Sequence, residues 1–309
     1  MYVMSLMSHK CSFPIVGASV GDTCTASWRD LQPHLRPTQN AVGFAWVHRK
    51  IEHDFSSASD AQDAMDSEPL PVVLGPGGRI YLLDHHHTLA ALDFSNYHDT
   101  KTTLFISCDF SNYSATDAWP ALVARALAYP YGRPASTPDA LPNPISESSI
   151  PSRLVFQAGG NSTFMDDRWR ALSSFVRKVK GLDDCPKVNK YCMRGYNRVC
   201  ASSGSSVPFF EFRWAYLMND AYLHTELLWD NQTAARDFTA KYKRLDDPTD
   251  VASWQDAAVD LVYLCRGLAT AAYKVPSAMG AMAGTLPGVV TGMDPIKDED
   301  PDCDLPRCA

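Results

Sequence analysis

The chain has 309 residues, a formal net charge of −7 and a pI of about 5.7, a balance that excludes a broad electrostatic grip on nucleic acid but leaves room for a local basic groove. No stretch is apolar for long enough to span a bilayer, and the length allows two domains, or one large one, around a substantial core. Nine cysteines, none in a CxxC pair, and glycosylation acceptors at Asn112, Asn161 and Asn231 point to the secretory route and to disulfides; a reduced cytoplasmic protein is the alternative.

The first thirty residues are mixed, with Cys11 and Cys24 flanking a Gly/Ser/Thr-rich segment of little helical periodicity. Pro33 and Pro37 hold the next stretch extended, and Arg36, Thr38, Gln39 and Asn40 give it a dense set of hydrogen-bonding groups ahead of a short helix over Phe44–Lys50. An acidic Ser/Ala/Asp-rich connector follows at 54–68. The apolar runs Pro71–Leu74 and Ile80–Leu83 enclose Gly75-Pro-Gly-Gly78 and read as two antiparallel strands of a glycine-rich hairpin. Asp84-His85-His86-His87 comes next, then a helix from Thr88 to Phe94, a strand over Thr103–Cys108 and a helix over 115–129. A proline-punctuated loop at 129–151 is read as a soft boundary. It separates an α/β core with its N-terminal extension (1–150) from a mainly helical portion (151–309) with an acidic, cysteine-containing tail.

In that second portion the predicted helix 166–180 begins with acids and ends with bases, which suits its dipole. Trp169, Leu172, Phe175, Val176 and Val179 form its apolar stripe, leaving Arg170, Arg177 and Lys180 on a basic face that either holds phosphate or is simply solvated. Glu211 stands in the apolar run Phe209–Met218, where a carboxylate is costly unless paired. Residues 251–274 read as a long helix. Cys185, Cys192 and Cys200 crowd one polar loop and Cys303 and Cys308 the tail, where bridges would lower unfolded-state entropy; Cys265 is left as the odd thiol.

The Asp84–His87 stretch lies on a strand-to-helix turn, whose free N–H groups and helix dipole attract anions. Three adjacent imidazoles and a carboxylate are expensive to place together unless something uses them. The bland alternative is that Asp84 caps the helix while the histidines bond backbone groups or water.

These segments together resemble the ParB-like nuclease family, a branch of the ParB/sulfiredoxin superfamily. The resemblance is carried by Arg36-Pro-Thr-Gln39 with Ala41-Val-Gly43, by the hairpin running into Tyr81-Leu-Leu-Asp-His-His-His87 with Leu89-Ala-Ala91, by Asp166-Asp167 with Arg170-Ala-Leu and Val176-Arg177, and by Phe210-Glu-Phe-Arg-Trp-Ala215. It implies a small mixed α/β sheet core with an added helical portion. The superfamily turn commonly reads Asp-Gly-x-His-Arg, with its His and Arg holding nucleotide phosphate. Here His87 matches the histidine, His85 replaces the glycine and Thr88 stands in the place of the arginine, so the bidentate phosphate clamp is gone.

The resemblance implies a hydrolase cleaving a phosphodiester, in nucleic acid or a small phosphorylated substrate, at this turn. Asp84, His85 and His87 are the expected catalytic residues; Arg36, Thr38, Gln39, Thr88, Arg170 and Arg177 the expected phosphate or substrate contacts; and Asp84, His85 and His86 the ligands of a divalent ion (Mg, Mn or Zn) if one is used. The alternatives are a metal-dependent hydrolase or lyase on a non-nucleotide substrate, and a non-catalytic module binding phosphate or nucleotide. His87 and Asp84 are expected to matter for activity more than for stability.

Overall fold

The computed structural model of the protein describes residues 9–15, 17–67, 69–125, 127–129, 131–132, 145–157, 161–176, 245 and 247–258. Six strands form one mixed sheet: β1 (His9–Lys10), β2 (Thr23–Ser27), β3 (Leu35–Pro37), β5 (Leu70–Leu74), β6 (Ile80–Leu82) and β7 (Lys101–Asp109), in the order β1-β2-β7-β5-β6-β3. The expected hairpin is present. β5 and β6 pair antiparallel with Val73 opposite Tyr81, and the turn between them places Gly77 and Gly78 at φ +68° and +75°, which side chains resist. β5 is also parallel to β7, and β6 is parallel to β3. The fold is therefore α/β with a mixed sheet, as the sequence implies.

The central strand β5 is buried along its whole length because helices and loops cover both faces of the sheet, and a strand so placed reads as a continuous apolar run. Alternate side chains serve opposite faces. Leu70, Val72 and Leu74 join Ile80, Leu82 and Ile106 on the face covered by α2 (Phe44–Asp54) and α4 (His86–Phe94). Val73, Tyr81 and Leu83 join Phe110, Trp119 and Ile150 on the other, beneath α5 (Ala118–Ala124).

Two readings change. Residues 54–68 are mostly helix, not connector: α3 spans Ala58–Asp66, capped by Ser57 Oγ accepting the N–H of Asp60, and it buries only Ala61 and Met65, too small a stripe to register as periodic. The helix expected over 115–129 is confined to α5. The segment between Cys11 and Cys24 leads into β2, and those two cysteines are joined, with Cα atoms 5.0 Å apart; Cys108 is disulfide-bonded as well. The other six cysteines, together with Asn231, Arg177 and Glu211, lie outside the described residues, as do the apolar run 209–218 and most of the predicted helix over 251–274.

α1 (Trp28–Leu31), α4 and the short strand β8 (Phe156–Gln157) meet at one buried carboxylate. Asp93 accepts the indole N–H of Trp28 at 3.0 Å and the backbone N–H of Phe156 at 2.8 Å. Burial pushes its pKa up, against the lowering effect of these two bonds. Asp93→Ala leaves both donors buried without a partner and is expected to destabilise the protein by about 2–6 kcal/mol, at ~1–3 kcal/mol for each unsatisfied group, as measured by urea unfolding.

Candidate functional site

The site is built where three segments of distant sequence converge: the start of α4, the extended chain 38–44 containing β4 (Ala41–Val42), and the segment 165–170, where β10 (Met165–Asp166) runs into α6 (Arg168–Val176). β4 and β10 pair in parallel. Around that short ladder Met165 N–H donates to Asn40 O and Asp167 N–H to Val42 O, both at 2.9 Å, while Asp166 Oδ1 accepts the N–H of Phe44 at 2.8 Å. Gly43 starts α2 so close to α6 that a Cβ on it would lie 2.3 Å from the backbone N of Ala171.

The other side of segment 38–44 is held by histidines. His86 Nε2 accepts the N–H of Thr38 at 3.2 Å and His87 Nε2 accepts the N–H of Gly43 at 3.0 Å. A ring nitrogen that accepts a backbone N–H carries no proton, so in this arrangement both imidazoles are neutral and protonated on Nδ1. Burial holds the pKa of His86 well below its ordinary value, with the positive charge of Arg170 and the neighbouring His85 adding to the effect. Thr38 is fixed a second time, its hydroxyl donating to Leu82 O at 2.7 Å.

His85 differs from its neighbours. It is the N-cap of α4 and sits in the left-handed region at φ +67°, ψ +20°, which a side chain adopts only against strain. It is a conformation that glycine adopts freely. Asp84 stabilises the turn, its Oδ1 accepting the N–H of His85 at 2.6 Å. Asp84 and His85 are part-exposed while His86, His87 and Thr88 are buried, and no side chain caps the helix.

Arg170 and Asp167 bring charge to the same place. Arg170 is buried, donates from Nη1 to Ala41 O at 2.7 Å, and lies near enough to His86 to act on its ionisation. Asp167 is the N-cap of α6, its Oδ1 accepting from Trp169 N and Arg170 N. Burial raises its pKa to about 6, against the lowering pull of Arg170.

Residues 32–192 match the family described as "Putative ParB-like nuclease". The chain belongs to the ParB-like nuclease family. Among solved structures, the crystal structure of protein Atu1540 from Agrobacterium tumefaciens is 22% identical, with a TM-score of 0.45, over 79% of this chain and 92% of that one. No curated protein matches the chain.

Of the residues expected to act together in this ParB-like nuclease chain, the fold gathers Thr38, Gln39, Asp84 to Thr88 and Arg170 onto segments that meet around the start of α4. Gln39 is buried and its Nε2 has no hydrogen-bond partner among the described residues. Arg36 is not brought to the turn: it shares a sheet face with Tyr81 and pairs with Glu147. Among the described residues no group of three or more His, Cys, Asp or Glu side chains is placed to hold a metal ion. Of the expected ligands, His86 has its Nε2 lone pair taken by Thr38, and Asp84 Oδ1 accepts the N–H of His85. Asp167 was visible in the sequence only as part of a family motif; an acid pair directly before a helix with arginine at its third position was the signal for its role.

The hydrogen bond to Gly43 changes what His87 is expected to do for stability. His87→Ala orphans a buried N–H at the start of α2 and is predicted to cost about 1–3 kcal/mol, which His87→Gln, offering an amide oxygen, recovers in part; thermal unfolding of the two variants checks this. Asp167 supplies a pH signature. A carboxyl whose folded pKa stands above its unfolded value takes up a proton on folding, so its contribution is largest below pH 4 and is lost as pH rises to about 6. Asp167→Asn keeps an oxygen for the cap but removes this term. Relative to the parent, the variant is predicted to gain roughly 3 kcal/mol between pH 4 and pH 7, read from urea unfolding at both values.

Proposed function

We propose that the protein hydrolyses a phosphodiester at the Asp84–His87 turn, with His85 as the general acid/base. The observation that carries this reading is the left-handed conformation of His85 at the uncapped start of α4. Backbone strain of this kind is kept where the surrounding structure enforces it, and it concentrates at sites of function. His85 is also the imidazole of the three that is not buried. Its neighbours have each committed Nε2 to the backbone.

The roles follow. The first N–H groups of α4 are donors for a bound phosphoryl group and for the extra negative charge of its transition state, and the buried guanidinium of Arg170 stands close by. His85 takes a proton from the attacking water, and the imidazolium returns it to the leaving oxygen. Asp84 positions His85 by bonding its N–H, and Gln39 and Thr88 supply polar contacts to the substrate. No step is assigned to a metal. Membership of a family named for nuclease activity supports the reaction class, and the acidic pI favours a short or small diester over tight binding of long duplexes.

A non-catalytic phosphate-binding module is the second reading, favoured by the commitment of His86 and His87 to structural hydrogen bonds. In either case we place the protein in an oxidising compartment, a reading supported by the Cys11–Cys24 bridge and by the exposure of Asn112 and Asn161.

The test is turnover of an activated phosphodiester and of short single-stranded DNA and RNA, with and without Mg2+ or Mn2+, by the parent and by His85→Gly. The parent is expected to cleave at least one of them and His85→Gly to lose about 10²–10⁴-fold in rate. Glycine relieves the left-handed strain, so the same variant is predicted to unfold at a higher temperature, by up to ~1 kcal/mol in stability. A folded parent that cleaves none of the substrates leaves the binding module. Full activity in His85→Gly moves the chemistry to another group.

A further inference from the structure

On the sheet face opposite α4, four side chains form a cluster that the proposed reaction does not use. Strands β3 and β6 put Arg36 beside Tyr81, and Arg79 precedes the latter by two residues on the same strand edge. All three donate to one atom, Oε1 of Glu147: Arg36 Nη1 at 2.5 Å, Tyr81 Oη at 3.1 Å and Arg79 Nη1 at 3.3 Å. Arg36 Nη2 is answered by the backbone oxygen of Glu147 at 3.0 Å.

The supply of donors exceeds what this carboxylate takes. Two guanidiniums face one negative charge, and a single oxygen receives three donors. Arg36 Nε, also buried, has no hydrogen-bond partner among the described residues. Guanidinium forks match tetrahedral oxyanions, which present several acceptor oxygens and up to two charges in the space of one side-chain carboxylate. Burial pushes the Tyr81 pKa up, so its hydroxyl remains a donor through the neutral range. The cluster is half open: the Arg36 and Glu147 side chains are 16% and 22% exposed, and Arg79 is 44% exposed. A ligand therefore has an approach from the Arg79 side.

We infer that Arg36, Arg79 and Tyr81 form a second anion site, for a phosphoryl group, in which the Glu147 carboxylate is an exchangeable internal occupant. The site is separate from the histidine turn and does not depend on whether the turn hydrolyses anything. The phosphoryl group belongs either to a nucleic-acid strand or to a free or terminal phosphate.

The experiment is calorimetric titration of the full chain with inorganic phosphate and with a dinucleotide phosphodiester, against chloride of equal ionic strength. Glu147→Gln removes the competing charge while keeping the bulk and the backbone oxygen. It is expected to bind phosphate or the diester at least tenfold more tightly than the parent, and the added change Arg79→Met is expected to abolish the gain. The tightening caused by Glu147→Gln is expected to be the same in a His85→Gly background as in the parent, which separates it from the turn. Tightening for the diester names a nucleic-acid strand as the source, and for phosphate alone a free or terminal group. Should Glu147→Gln fail to fold, Arg79→Met decides by itself. Altered only at a half-exposed side chain, it is expected to lose most of the phosphate-dependent rise in Tm seen in the parent. If Glu147→Gln binds no more tightly, or if the gain or the parent's rise survives Arg79→Met, the cluster is a structural ion pair and the inference is overturned.

Discussion

Two hydrogen bonds from backbone to imidazole, Thr38 to His86 and Gly43 to His87, hold the polar end of the sheet together. They fasten the entry of α4 to the loop that starts α2, and that loop is in turn laced to β10 and α6. An imidazole is suited to this work because it offers one acceptor in the plane of a flat, largely apolar ring. His86 uses that ring against Phe164, edge to face, with centroids 6.3 Å apart. The arrangement makes the turn rigid, and it does so with groups that must stay unprotonated. As pH falls below 6.5, the ordinary value of the imidazole, an unfolded chain takes up a proton that folded His86 refuses, and the turn loses stability in step.

Rigidity at His86 and His87 is also what allows His85 to be held in a conformation that it would leave if it were free. The carboxylate of Asp84 and the first turn of α4 grip the backbone on both sides of it. A glycine in that position would need no such support. In this chain the support and the side chain come together, so the departure from the superfamily pattern at one residue is matched by the surroundings that make it tolerable.

How much of this could be read from the residues depends on the range of the interaction. The hairpin was legible because Pro-Gly-Gly punctuates two runs of buried aliphatics, and the helix after the histidines because Leu89, Ala90, Ala91 and Leu92 favour one. α3 was not, since its apolar side is an alanine and a methionine, though Ser57 three residues ahead of Asp60 was a usable capping signal. The boundary at the turn moved: two of the four polar residues belong to the first turn of α4, because the left-handed step at His85 ends the strand alternation early. Arg170 could be named from its motif, but its place beside His86 rests on the pairing of β4 with β10, more than a hundred residues apart. The position of Arg36 on the opposite sheet face follows from strand alternation with Leu35 and Pro37. Its partner, Glu147, carried no local signal at all.

The two ends of the sheet have a consequence for how copies of the molecule meet. Among the described residues, one edge is β1 (His9–Lys10), fastened near its neighbour by the Cys11–Cys24 bond; the other is the three-residue strand β3, ending in a proline that has no N–H to offer. Edges this short give a passing strand almost nothing to pair with, and the long apolar strands β5 and β7 are shut inside. Among the described residues the sheet therefore leaves little open edge for backbone addition, and contact between copies through these residues falls to side chains.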